Sequence, residues 1–206
     1  MINSIIRNGV TVTKKFSRLA EIATYVVSHI DNRLYFNNRD RFMTELGRLD
    51  FYGGRGLPVP EIVSIDYPRL AIEMRQLPGK NISEAILDGD LTDMQLLRYL
   101  ERYAEVLRQI HQHGEHGDPF LRNAMVSNGS LYAIDFEHTR RNGKSGDLSA
   151  LFMDALRRTD IKYGDVKRAI TYGYGEEPRE LYTPMVRMSS VILPAERFLH
   201  RHKFTL

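Results

Sequence analysis

Cysteine is absent from this 206-residue chain. That excludes a disulfide framework, a thiol nucleophile and a thiolate metal site, and it is compatible with a cytoplasmic setting. No apolar run approaches the roughly 20 residues that span a bilayer, so no transmembrane segment is expected. Peripheral placement at the inner face of a membrane stays compatible with this. Residues 1–7 lack a sustained apolar core and a small-residue cleavage pattern, so they are not read as a signal peptide. Internal repeats and low-complexity tracts are missing too. Charge of one sign is scarce, because 29 basic residues nearly match 26 acidic ones and leave a formal net charge of +3. Such a balance permits attraction to phosphate-bearing partners without identifying any. With 42% hydrophobic and 27% charged residues, the chain has the composition of an ordinary globular protein. Its length suits one domain of two lobes better than two independent domains.

The first part reads as a small sheet with one or two helices. Asn8-Gly9 separates residues 4–7 from residues 10–16, a hairpin signal because both residues tolerate the positive φ of a tight primed turn. Residues 19–27 suit a helix or a strand, since β-branching pulls one way and Ala and Glu the other. A helix is predicted over residues 38–52, where Phe42, Glu45, Leu46 and Leu49 recur at helical spacing. Gly53-Gly54-Arg55-Gly56 ends it, and Pro58 and Pro60 keep it from resuming. Residues 61–66 and 70–74 read as strands around a Tyr67-Pro68 turn. Leu77-Pro78-Gly79 is the expected junction between an N-lobe of residues 1–76 and a C-lobe of residues 77–206.

Beyond the junction the chain turns mostly helical. Thr92 or Asp90 can cap a helix running to about His113, with Met94, Leu97, Leu100, Ala104, Leu107 and Ile110 as its buried stripe. Two short strands, 124–126 and 131–134, flank a turn at Ser127-Asn128-Gly129. Asp147 is placed to cap the next helix, 148–156, and further helices are expected around 166–172 and 181–200.

The chemistry-bearing residues surround that second hairpin. His116-Gly117-Asp118-Pro119-Phe120-Leu121-Arg122-Asn123 precedes it, and Asp135-Phe136-Glu137 follows, with Asp135 twelve residues after Asn123. A hairpin folds back, so Asp118 and Asp135 should emerge at the same end of the strand pair. An ordered carboxylate, amide and second carboxylate match the parts used for phosphoryl transfer. A polar turn and a strand end would account for any one of these residues alone.

Leu107-x-x-Ile110-His111, the His116 to Asn123 run and Ile134-Asp135-Phe136 together resemble the catalytic core of compact protein-kinase-like phosphotransferases. The likeness is to the small kinase of the tRNA threonylcarbamoylation (KEOPS) complex, to the lipopolysaccharide-core sugar kinases, and to the aminoglycoside and choline phosphotransferases. Asp147-Leu148-Ser149-Ala150-Leu151 resembles the lipopolysaccharide kinases especially. Glu45 followed by residues 56–63 resembles both that family and the tRNA-complex kinase. The resemblance covers roughly residues 10–156.

It implies an α+β, two-lobed kinase-like fold, with a sheet-rich N-lobe and a helical C-lobe, acting as an ATP- and Mg²⁺-dependent phosphotransferase on a hydroxyl-bearing substrate. The acceptor would be a lipopolysaccharide or other sugar, a small molecule or a protein. By position, Asp118 would be the catalytic base, and Asn123 and Asp135 the Mg²⁺ ligands. Lys14 would anchor the nucleotide phosphates and pair with Glu45. Lys15 is the other candidate, although strand alternation sends it to the opposite face. Met74, Arg75 and Gln76 occupy the stretch that would line adenine. Asp147 would brace the catalytic loop from below, though helix capping also explains it.

Several departures accompany the likeness. A glycine-rich loop is missing, because only Asn8-Gly9 precedes the candidate lysine and leaves no room for the preceding strand. Gly53-Gly54-Arg55-Gly56 follows a helix and precedes a strand, the wrong context for a phosphate cradle. Glu137 stands where signalling kinases carry Gly, and Gly117 where they carry Arg. Little loop separates Asp135 from the next helix. Arg75 and Gln76 replace the commoner acidic residue. These departures leave open a pseudokinase, a binding module without catalysis.

Other signals are weaker. His111, His113 and His116 do not share a direction suited to zinc, and Ser127, Ser130 and Ser145 lack ordered His–Asp partners. Arg140, Arg141, Lys144, Arg157, Arg158, Lys162, Lys167 and Arg168 make the region after Asp135 basic. They could receive an acidic substrate, RNA included, or simply form a solvated face. Residues 197–203 read as a charged tail rather than a membrane anchor.

Overall fold

Alternating residues near the start pair as strands β1 (Ser4–Arg7) and β2 (Thr11–Lys15) in a computed structural model that describes residues 4–16, 37–138 and 143–175. The hairpin forms, with its turn one residue later than the dipeptide suggests. Arg7 pairs with Val12 and the Asn8 N–H donates to the Thr11 carbonyl at 2.9 Å, so the loop is the two residues Gly9-Val10. Gly9 alone takes a positive φ, as a primed turn with Gly at its first central position requires. Strands β3 (Ile62–Asp66) and β4 (Ala71–Arg75) complete an antiparallel sheet in the order β1-β2-β4-β3. Helix α1 (Asn38–Gly53) starts where Asn37 accepts from the Asp40 N–H. Its apolar face, Phe42, Leu46, Leu49 and Tyr52, is buried, and Phe42 meets Phe16 edge-on with ring centroids 5.8 Å apart.

After residues 77–79 the chain enters a second sheet, β5 (Lys80–Asn81), β6 (Ala124–Ser127) and β7 (Ser130–Ala133), in that order. The crossing is tight, since a Cβ at Gly79 would overlap the Val126 carbonyl. Here both central residues of the turn are left-handed, Asn128 at φ +48° and Gly129 at φ +75°.

Helix α2 (Ile82–Leu87) opens on an Asn81–Glu84 capping box. Helix α3 (Asp93–His111) opens on Thr92, not Asp90, with Gln95 completing the box. The buried stripe of α3 is Leu96, Leu100, Tyr103, Ala104, Val106, Leu107 and Ile110. Met94, expected within that stripe, is 64% exposed. It lies in the first turn, where Leu96 supplies the inward side chain. Helices α4 (Gly143–Arg158) and α5 (Tyr163–Tyr174) finish the described structure, and Phe152, Leu151 and Ile170 join α3 in one core. The architecture is α+β and two-lobed, a small antiparallel sheet with α1 beside a mainly helical lobe. No helix among the described residues is long and apolar enough to cross a membrane.

Residues 19–27, the helix expected over 181–200, Arg140, Arg141 and the 197–203 tail lie outside the described residues. Part of the basic run is matched internally, since Arg158 pairs with Asp154 at 2.7 Å and Arg168 pairs with Asp165.

Candidate active site

The loop between α3 and β6 is held from below by one carboxylate. Asp147 accepts the backbone N–H groups of His116 (2.6 Å) and Gly117 (2.9 Å) and lies 3.1 Å from His111 Nε2. It is fully buried and sits inside α4, which begins at Gly143, so it braces the loop and does not cap the helix. Gly117, at φ +88°, is required by close approach, because a Cβ there would overlap the His138 carbonyl. The backbone crossing explains why the bulkier Arg of signalling kinases has no place here. Arg48 from α1 completes the junction, donating to the carbonyls of His116 (3.0 Å), Phe136 (3.1 Å) and His138 (2.6 Å).

His116 is a neutral structural element. Burial lowers its pKa to about 4; Asp147 opposes that shift and Arg48 adds to it. Its Nδ1 accepts the Asp118 N–H at 3.3 Å, which leaves the proton on Nε2, facing the Tyr103 hydroxyl at 3.3 Å. The ring also stacks on Phe136, with centroids 4.6 Å apart. These contacts aim Asp118.

Asp118 is buried, and its Oδ2 accepts from Arg122 Nη2 (2.9 Å) and Asn123 Nδ2 (3.1 Å). The same Asn123 amide nitrogen donates to the Asp118 carbonyl at 2.7 Å. Asn123 thus turns its nitrogen toward Asp118 and keeps its amide oxygen for another partner. Ala124 pairs with Ala133, and the Asn123 carbonyl accepts the Ile134 N–H at 3.0 Å. That pairing puts Asn123 and Asp135 at the same hairpin end. Asp135 takes φ +67°, unusual for a side-chain-bearing residue, and remains 31% exposed against 8% for its partner Lys14. An amide oxygen and an open carboxylate are the hard donors Mg²⁺ accepts. Among the described residues no group of three or more His, Asp or Glu forms a ready cation cage. A cation at Asn123 and Asp135 would therefore draw its remaining ligands from phosphate and water.

Lys14 closes the site from the sheet. On β2 it is buried while Lys15 is exposed, as alternation requires. Its Nζ lies 2.6 Å from Asp135 Oδ1, 3.0 Å from Glu137 Oε2 and 3.4 Å from Glu45 Oε2. Burial would lower the lysine pKa, but Asp135, Glu137 and Glu45 together raise it, so Lys14 stays charged. For Glu45, burial pushes the carboxyl up and Lys14 only partly restores it, while Asp135 and Glu137 raise it further. Burial also works against the Glu137 carboxylate, yet Lys14, His138 and Arg41 hold its pKa well below the ordinary range. Arg41, buried on α1, bonds Glu137 directly.

The adenine-side candidates separate. Met74 pairs with Val12 across β2 and β4 and is buried on the Lys14 face. Arg75 is exposed and pairs with Glu61 at 3.0 Å, away from this cluster. The Gln76 N–H donates to the Val10 carbonyl at 2.9 Å, and its side chain is half-buried. Sequence reasoning passed over Arg41, Arg48 and Arg122 as site members. Arg122, beside Asn123 and at helix-like i,i+4 spacing from Asp118, was the one with a local signal. A surface groove of about 560 Å³, lined by Arg48, Phe51, Tyr52, His113 and Lys144, lies elsewhere and includes none of Lys14, Asp118, Asn123 or Asp135.

No family model and no curated protein sequence matches the chain. Solved structures do. A choline/ethanolamine kinase family protein from Mesorhizobium loti superposes with TM-score 0.58 at 14% identity, covering 97% of this chain and 74% of that one. The bifunctional kinase-methyltransferase WbdD gives TM-score 0.56 at 15% identity, covering 96% of this chain and 48% of its own. WbdD with the kinase inhibitor LY294002 gives 0.55 at 13% identity. This chain spans about half the length of WbdD. The fold is that of the protein-kinase-like phosphotransferases.

Proposed function

We propose that this protein transfers the γ-phosphoryl group of ATP, with Mg²⁺, to a hydroxyl of a sugar, lipopolysaccharide, small-molecule or protein acceptor. One observation carries the reading. Lys14 and Asp135, 121 positions apart, meet at 2.6 Å. Asp135 follows Ile134, whose N–H donates to the Asn123 carbonyl at 3.0 Å, and Asn123 bonds Asp118, which supports a phosphate anchor, metal ligands and base in one place. Isolated polar turns have no reason to gather this set. Asn123 and Asp135 would hold Mg²⁺, which would offset the negative charge of the phosphates during transfer. Lys14 orients the phosphates. Asp118 accepts the acceptor's hydroxyl proton as that oxygen bonds phosphorus, and the phosphorus–oxygen bond to ADP breaks.

The deciding experiment follows label from [γ-³²P]ATP in cell extract with the parent and with Asp135→Ala. Label transferred only by the parent supports the kinase, and its destination names the acceptor class. The missing glycine-rich loop favours one rival, a non-catalytic binding module. Absence of transfer, together with no thermal shift from MgATP, would establish that rival instead.

A further inference from the structure

Three carboxylates surround Lys14, and the shortest contact goes to Asp135, the residue expected to hold the metal. An ammonium and a divalent cation on one carboxylate repel each other at close range. When Asp135 engages a metal, Lys14 therefore needs another anion to stay ordered beside the phosphates. Glu137 is the nearer of the two that remain, 3.0 Å from Nζ against 3.4 Å for Glu45. Glu137 is also the better anchored. Buried Arg41 bonds its Oε1, and His138 Nε2 lies 3.2 Å from the same oxygen. Arg41 and Glu45 stand at i,i+4 on one face of α1, so both partners of Lys14 are fixed relative to that helix.

We propose that Glu137, clamped by Arg41, is the positioning residue that keeps Lys14 in place when Asp135 turns to Mg²⁺, with Glu45 in a secondary role. The assignment rests on the phosphotransferase reading above. Without metal, Asp135 and Glu137 share Lys14. With metal, the clamp takes over. The same Arg41–Glu137 contact ties α1 to the segment after β7.

The test titrates MgCl₂ against binding of the fluorescent nucleotide mant-ATP to the full chain. The parent is compared with Glu137→Gln, Glu45→Gln and the double variant Arg41→Met/Glu137→Gln. The double variant removes both buried charges together and so protects folding if Glu137→Gln alone unfolds. Loss of Glu137 should raise half-saturating Mg²⁺ about tenfold and weaken metal-free binding by clearly less than that. Glu45→Gln should shift the midpoint less. A larger shift from Glu45→Gln, an unmoved midpoint, or equal losses with and without metal would overturn the clamp while leaving the kinase reading intact. A parent that binds no nucleotide at any Mg²⁺ concentration overturns both.

Discussion

The two halves of the site are built on different principles. Around Asp118 the polar groups are met mostly by neutral or backbone partners, with Arg48 and Arg122 as the charged exceptions. Asp147 takes two backbone N–H groups, His116 is neutral, and Asn123 folds back on the loop. Around Lys14 the side chains are charged and unevenly matched, with three carboxylates facing Lys14 and Arg41. The first half is a rigid mount for the proposed base. The second gathers three carboxylates in one place, which suits the arrival of a cation. A stiff frame next to an electrostatically unsatisfied pocket is what a phosphoryl-transfer site requires.

That contrast can be broken experimentally. Asp118→Asn should cut turnover by about 10³-fold, the scale of general-base catalysis, while nucleotide affinity measured by mant-ATP stays within about twofold. Turnover equal to the parent's would remove Asp118 from the role of base. Asp147→Ala strands two buried N–H donors and should cost about 3–5 kcal/mol in urea unfolding. A loss below about 1 kcal/mol would mean the loop is braced elsewhere.

His116 gives the mount a pH signature. Its folded pKa, about 4, lies below the unfolded value of 6.5, so the unfolded chain binds a proton first as pH falls. Stability should be full above pH 6.5 and decline by about 3 kcal/mol toward pH 4, and His116→Gln should flatten that slope. An unchanged slope in the variant would assign the pH response to another group. The smallest effect is expected at half-exposed Arg122. Its ion pair with Asp118 should contribute only about 0.5–1 kcal/mol of stability, read by comparing Arg122→Ala with the parent.

The catalytic loop was legible because its information is local. The run from His116 to Asn123, the Asn128-Gly129 turn and Asp135 lie within one stretch of chain, so spacing alone predicts that their ends meet. Helix α1 and both capping residues Asn37 and Thr92 follow the same logic, though Asn37 itself draws no notice without the structure. Local rules failed where a neighbour decided. The first hairpin turns at Gly9-Val10, one residue past its Asn8-Gly9 signal, and Asp147, placed to cap a helix, faces a loop from inside it. Met94 has the right periodicity and still faces solvent.

The sequence by itself determined the order of base, amide and second carboxylate, the hairpin that brings their ends together, and the lysine's face on its strand. Short-range sterics and strand alternation are sufficient for each of these. Only the tertiary structure decided that Arg41 and Glu137 belong to the lysine's surroundings, that Arg48 links helix and loop, and that Gly117 stands where two backbones touch. Those partners lie tens of residues apart, and a charge or a missing Cβ acquires its meaning from what packing places against it.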